Sequence, residues 1–281
     1  MNEGQRDKLD VSVVVPARNA SALIERCLEA IRRNQPGEVI VVDGLSSDGT
    51  VEIARGFADA ILSDDGLGVA HARQMGAEAA RHPYIAFIDV DVELPEGALS
   101  ALLEELVRLG ADGIQAQLTS VHANDYWSRA LAAHHNRGRS RRWFGLSCTV
   151  FRRDLLRQHG LDPAFRTGED IEFRYRLEEA GANILLSEKT WAQHRFEAGF
   201  RFALGQWMAD GAGLGRMVRK YGWRVSSLLL MPAAGGLLGI GRSLGRDALF
   251  IPYYALYVAC NYPGICLGLF DGRVKPRKRS R

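Results

Sequence analysis

Short runs of β-branched residues alternate with amphipathic helical stretches along the N-terminal part of the chain, and this alternation restricts it to a layered α/β fold. Val11 to Val15 and Val39 to Val42 are apolar throughout and too short for helices, as expected of parallel strands covered on both faces. Between them Leu23, Ile24, Cys27, Leu28 and Ile31 recur at helical spacing, with Glu25, Arg26, Glu29, Arg32 and Arg33 on the other side. Ser46, Ser47 and Asp48 are N-cap types that open a second helix to about Ala58. Val69 to Arg81 predicts a third helix and Tyr84 to Ile88 a further strand. Pro95 starts a helix with Leu99, Leu102, Leu103, Leu106 and Val107 on one face, followed by a strand from Gly113 to Leu118. The expected class is an α/β sandwich around a mostly parallel open sheet, in which ligands bind at the carboxyl ends of the strands.

After about residue 120 the alternation weakens. Leu146 to Phe151 is the last clear strand before a helix from Asp170 to Ala180. From Val225 the composition changes, because Val225 to Gly241 and Ala248 to Phe270 carry no charge. The expected division is a tail over 1–10, a catalytic α/β domain over 11–224 and a hydrophobic helical hairpin over 225–270, with a basic tail over 271–281. Within the α/β domain, 11–118 and 119–200 are the expected halves and 201–224 a basic linker helix. A length of 281 residues suits one sizeable core plus an extra element, and 47% hydrophobic with 25% charged residues excludes a disordered chain. The net charge of +3 is too small to argue for nucleic acid. Its excess is local, in Arg137 to Arg142, Arg216 to Arg224 and Arg273 to Arg281. Cys27, Cys148, Cys260 and Cys266 form no CxxC pair, and MNEGQRDKLD lacks the apolar core of a secretory signal. A reducing, cytoplasmic setting for the α/β part is the expectation.

Asp89 and Asp91 follow the strand Tyr84 to Ile88, and their two-residue spacing sends both carboxylates to one side. Such a pair can share a hard divalent cation, Mg²⁺ or Mn²⁺, with positions left for substrate phosphates, although a solvated loop has the same composition. Glu169 and Asp170 open a helix, where two acids are also good capping chemistry. His134 and His135 have no partner at zinc spacing and read as surface of an acceptor loop. The arginines from Arg137 to Arg142 could meet an acidic lipid phosphate or simply face solvent.

The chain also resembles the inverting family 2 glycosyltransferases of GT-A fold. The resemblance rests on VSVVVPARN at Val11 to Asn19, VVDGLSSDGT at Val41 to Thr50 and GVAHARQMG at Gly68 to Gly76. Ile88 to Asp91 and Gly168 to Phe173 complete it, so five blocks stand in the family's order over about residues 10 to 200. It implies that Pro16, Arg18 and Asn19 line a nucleotide pocket, that Asp43 contacts the base, and that Arg73 contacts the base or ribose. The family's second acid is replaced here by Gly44. The resemblance further implies that Asp89 reaches the ribose or the metal through water, that Asp91 binds the metal directly, and that His194 adds a further ligand. It makes Asp170 the general base that activates an acceptor hydroxyl, with Glu169 beside it on the acceptor side.

The implied donor is a nucleotide diphosphate-sugar, UDP first among them, and the acceptor a glycan or lipid-linked molecule. Phe200 to Tyr221, with Gly205, Gly211, Gly213 and Gly215, is similar to the region after the catalytic core in membrane-linked members that build bacterial exopolysaccharides. The QxxRW signature of processive synthases is absent, which favours addition of a single sugar. Transfer to a polyprenyl phosphate and a scaffold that keeps the fold without turnover remain alternatives. Ala248 to Phe270, roughly 23 residues, is long enough to cross a hydrocarbon core at about 1.5 Å per residue, and Val225 to Gly241 is at the lower limit. Basic flanks on both sides predict a membrane hairpin or shallow insertion with the α/β part on the cytoplasmic face, while a buried soluble helix pair remains open.

Overall fold

The structure, a computed structural model, describes residues 8–137, 145–244 and 248–277. The stretch from the Arg137 side chain through Arg142, the loop residue Arg246 and the basic end of the chain from residue 278 lie outside the described residues. The chain divides into two compact units. The first comprises Met1–Ser120, Arg139–Pro163 and Phe173–Arg195; the second comprises Val121–Gly138, Ala164–Glu172 and Phe196–Arg281.

The first unit holds an eight-stranded sheet made of β1 (Leu9–Ala17), β2 (Pro36–Asp43), β3 (Ala60–Ser63), β4 (Tyr84–Ile88), β5 (Val92–Glu93), β6 (Gly113–Val121), β7 (Cys148–Arg152) and β8 (Ile184–Arg195). Their spatial order is β3-β2-β1-β4-β7-β6-β8-β5. The half from β3 to β4 is parallel, as expected, whereas β4 with β7, β6 with β7 and β5 with β8 pair antiparallel. The sheet is therefore mixed, with its parallel half formed by the first three strands and β4.

The period-two rule sorts the strand residues onto two cores. Val11, Val13 and Val15 of β1, Val39 and Val41 of β2, and Ala86 and Ile88 of β4 pack on one face with α1 (Ile24–Arg33) and α4 (Ala98–Leu109). Val14, Ile40, Val42, Ile85 and Phe87 pack on the other with α3 (Val69–Ala79), α6 (Arg153–His159) and the later part of α7 (Glu169–Glu179). A short α2 (Thr50–Ala54) follows β2. The contact between α3 and the sheet is close: a Cβ on Gly76 would stand 2.3 Å from Val14 Cγ1.

The second unit contains α5 (Tyr126–Arg137), α8 (Phe200–Tyr221), α9 (Met231–Ser243) and α10 (Ile251–Leu269), with a 3-10 stretch over Gly222–Leu230. Its core joins Ala130, Leu131, Phe196, Ala203, Trp207, Tyr253 and Tyr254. Glycines let α8 and α10 meet backbone to backbone. A Cβ on Gly211 would fall 2.1 Å from the Asn261 carbonyl oxygen, and one on Gly264 would fall 2.3 Å from that of Met208.

His134 and His135 lie on α5, not on a loop. The His134 ring packs against Tyr253, Tyr254 and Tyr257 at centroid distances of 5.9, 5.6 and 5.1 Å, so it is part of an aromatic cluster. Burial, with the Arg242 charge, pushes its proton affinity down to about 4. The expected surface position gives way because α5 needs an apolar face and the neutral ring can serve as one.

Candidate active site

The parallel strands β1, β2 and β3 end side by side, and the backbone turns sharply after each. Asn19, Leu45 and Asp65 adopt φ of 48°, 60° and 53°, a left-handed region that costs a non-glycine residue about 1–2 kcal/mol. Such strain concentrates at functional loops. The first two loops are knitted together: Asn19 N–H donates to Ser46 Oγ (2.8 Å), Ser47 N–H to Asn19 Oδ1 (2.8 Å), and Ala20 N–H to Thr50 Oγ1 (2.7 Å). The Asn19 side chain thus braces the loops. Asp48 accepts from the Thr50 hydroxyl and from backbone N–H groups, which draws its carboxyl down to about 2.

Pro16 is half-buried and Arg18 exposed at the end of β1. A Cβ on Gly44 would meet Arg18 Cβ at 3.3 Å, so a larger residue there would displace the arginine stem. Asp43, at the end of β2, is 7% exposed. Its Oδ2 accepts the Ser46 N–H at 3.0 Å, while its buried Oδ1 has no hydrogen-bond partner. An acceptor of this kind costs desolvation energy unless a donor arrives from a ligand.

Asp89 and Asp91 occupy the tight turn between β4 and β5, closed by Val92 N–H to the Asp89 carbonyl at 3.0 Å. The antiparallel register places His194 of β8 opposite Val92. Arg195 N–H donates to the Asp91 carbonyl (2.8 Å), and His194 Nε2 lies 3.1 Å from Asp91 Oδ2. Burial disfavours the charged imidazole, but the charge and hydrogen bond of Asp91 and the charge of Asp89 outweigh it and hold the His194 proton affinity above the usual value.

Asp89 pairs with Arg73, itself 3% exposed, so two of the expected donor-site residues form one ion pair. Burial opposes the Asp89 charge, yet Arg73, the Ser147 hydroxyl and His194 together keep its carboxyl below the ordinary value. Asp91 Oδ1 is buried with no hydrogen-bond partner. A carboxylate with an orphaned oxygen beside an imidazole fits a divalent cation that takes its remaining ligands from water and phosphate. Among the described residues no group of three or more His, Cys, Asp or Glu side chains is arranged so that it could hold a metal ion, so the protein alone offers a partial ligand set.

Asp170 belongs to the second unit, in the first turn of α7, where Glu169 is 8% exposed and Asp170 half-buried. The loop before it is fixed to α8. Gly168 has φ of 76°, and a Cβ on it would stand 2.5 Å from Gly213 Cα. Thr167 Oγ1 donates to the Ala209 carbonyl at 3.1 Å. Arg216 reaches both the Thr167 carbonyl and hydroxyl and pairs with Asp271 at 2.8 Å. Glu172, fully buried, accepts from Lys220 Nζ and from Tyr221 OH at 2.7 Å. Arg219 donates to the carbonyls of Val274 (2.7 Å) and Leu269 (2.8 Å). Three cations expected to flank a membrane hairpin, Arg216, Arg219 and Lys220, therefore hold the second unit together. Glu172, in the same block as Asp170, and Arg216 are the structural supports that sequence reading passed over.

The family model described as Glycosyl transferase family 2 matches residues 12–160. The chain is 23% identical over 278 residues to the succinoglycan biosynthesis protein ExoA of Rhizobium meliloti (strain 1021), covering 91% of this chain and 83% of that protein. Among solved structures, the mannosyltransferase PcManGT from Pyrobaculum calidifontis, in complex with GDP-Man and Mn²⁺, is similar with a TM-score of 0.66 at 19% identity, over 95% of this chain and 89% of that one. S. aureus TarS 1-349 in complex with UDP is similar with a TM-score of 0.55 at 14% identity, over 92% of this chain and 90% of that one. These likenesses establish the GT-A transferase fold.

Proposed function

Because the chain belongs to glycosyl transferase family 2, we propose that it transfers one sugar, with inversion, from a UDP-sugar to a hydroxyl of a glycan or lipid-linked acceptor. That it is a glycosyltransferase follows from the family, and neighbours solved with GDP-Man and with UDP support a nucleotide-sugar donor. The observation that carries the finer reading is the buried, unpartnered Asp91 Oδ1 held beside His194. Asp91 and His194 would hold Mn²⁺ or Mg²⁺, which when bound neutralises the diphosphate and the charge that grows on the leaving nucleotide. Asp43 supports the choice of base. Its buried Oδ1, which has no protein partner, would accept an N–H of the base such as the imide N–H of uracil. Arg73 steadies Asp89 so that it can reach ribose or a metal-bound water, and Pro16 and Arg18 border the nucleotide. Asp170, with Glu169 beside it, takes the proton of the acceptor hydroxyl as its oxygen attacks the anomeric carbon.

Incubation with UDP- and GDP-sugars and Mn²⁺, followed by NMR of the product's anomeric configuration, tests this reading. The expected result is turnover of a UDP-sugar with the configuration inverted. Retention, or GDP-sugars alone as donors, would overturn the corresponding part. Transfer to a polyprenyl phosphate, the second enzymatic reading, predicts little dependence on Asp170, because a phosphate needs no base.

The second unit supports membrane association at the cytoplasmic face. Phe200–Ser243, 44 residues, is long and apolar enough to cross a membrane by length and composition. However, α8 keeps Arg216, Arg219 and Lys220 in internal pairs, and the 3-10 stretch interrupts the run, which favours shallow insertion. The most exposed large apolar side chains support the same choice. Trp223, Leu230, Leu237, Leu238, Leu244, Leu249, Leu267 and Phe270 are all at least 60% exposed. Flotation with vesicles containing anionic lipid should retain the protein in high salt, and Leu237→Ser with Leu238→Ser should release most of it. Complete release of the unaltered protein by salt alone would defeat insertion.

A further inference from the structure

Strand β8 breaks the alternation that a strand imposes on its side chains. Leu185 leans on the same core as α4, and Ser187, two residues on, is buried. Strict alternation would then turn Lys189, Trp191 and Gln193 inward and leave His194 on the opposite face. Instead Glu188 and Lys189 are both exposed, while Thr190 and Ala192 are buried. Ala192 rejoins the core that α4 covers, and Val92, which stands opposite His194, belongs to that core as well. The strand therefore carries one extra residue at Glu188–Lys189, a β-bulge, and every side chain after it changes face.

The bulge is held by side chains. Ser187 Oγ accepts the N–H groups of Lys189 (3.2 Å) and Thr190 (2.9 Å) and donates its proton to Glu105 Oε2 (2.6 Å). Glu105, on α4 and 6% exposed, also accepts the Glu188 N–H on Oε1 at 3.5 Å. Gln117 of β6 donates to the Ser187 carbonyl at 2.9 Å. Backbone groups that a bulge takes out of the ladder thus find partners. They also account for a carboxylate among Leu99, Leu102 and Leu106 on the buried face of α4.

We propose that Glu105 and Ser187 are positioning residues for the metal side of the candidate site: by fixing the bulge they turn His194 to the face on which it meets Asp91 Oδ2. The inference rests on Asp91 and His194 being the metal ligands. Both residues act through the register of β8, and removing groups that orient a ligand weakens metal binding by about 10- to 100-fold.

Ser187→Ala, alone and together with Glu105→Leu, is to be compared with Ser187→Thr, which keeps the hydroxyl. The double variant replaces both partners of the buried bond, so it strands no carboxylate and is expected to fold. Two readouts need no turnover. Amide exchange at Arg195, whose N–H donates to the Asp91 carbonyl, should quicken relative to the amides of β1 in both alanine variants and recover in Ser187→Thr. The Mn²⁺ concentration that gives half of the metal-dependent rise in melting temperature with UDP should increase by about tenfold or more in the alanine variants. The rise with UDP alone should stay as it is, and Ser187→Thr should restore the original midpoint. An unchanged Mn²⁺ midpoint in the alanine variants overturns the proposal, whatever happens to their stability. Failure of the metal reading itself is distinguishable, because His194→Ala would then also leave the midpoint unchanged.

Discussion

Replacement of Asp170 by asparagine is expected to lower kcat by about 10² to 10⁴ while leaving the donor dissociation constant within a few-fold of its original value. Asparagine matches aspartate in shape and remains compatible with the first turn of α7. The supports of that turn lie in other residues: the Gly168 and Gly213 backbones in contact, Arg216 on Thr167, and Glu172 held by Lys220 and Tyr221. The substitution therefore removes a proton acceptor without removing the scaffold around it. A fall in kcat together with an unchanged affinity for UDP would place the loss in the chemical step. Glu169 offers an internal comparison, since it is the more buried of the two adjacent acids. If Glu169→Gln were the damaging change and Asp170→Asn kept turnover within tenfold, the base would have to be reassigned.

The contrast between what was legible in the chain and what was not has a physical origin. Strands β1, β2 and β4 announce themselves because both of their faces are buried and every position demands an apolar residue. Strand β8 was missed although it is 12 residues long. Its inward positions are Ser187, Thr190 and Ala192, and Glu188, Lys189, Trp191 and Gln193 face out, so its alternation carries little hydrophobic contrast. That strand matters most for the candidate site. The proximity of His194 to Asp91 depends on the pairing of Val92 with His194, a register that no local spacing encodes, and only resemblance pointed to it. The arginine pair partner of Asp89 was hidden for the same reason. Arg73 comes from α3 and Asp89 from the β4 turn, two elements that meet only once the sheet is assembled. The close approach of Gly168 to Gly213, which joins the start of α7 to α8, was less visible still, because what the two glycines contribute is the absence of a side chain.

On the donor side, Asp91→Asn is expected to abolish the metal-dependent part of nucleotide binding. A ligand present at about 100 times its dissociation constant stabilises the folded state by about 2.7 kcal/mol. The unaltered protein with UDP and Mn²⁺ should show the rise in melting temperature that such a stabilisation produces, and Mn²⁺ should supply most of it. In the variant the amide retains the shape of the carboxylate, yet it brings no negative charge to a cation. The shift with UDP and Mn²⁺ should then shrink to that of UDP alone, and kcat should fall by about 10² to 10³, the usual cost of losing one electrostatic stabiliser of a leaving group. Asp43→Asn separates this effect from recognition of the base. It should weaken UDP binding with or without Mn²⁺, because the buried acceptor it replaces would serve the nucleotide itself. Equal Mn²⁺ dependence in the unaltered protein and Asp91→Asn would remove Asp91 from the metal site. It would leave the orphaned carboxylate oxygen to be satisfied by the nucleotide or its ribose, and the leaving group would then need a cationic side chain in place of a metal.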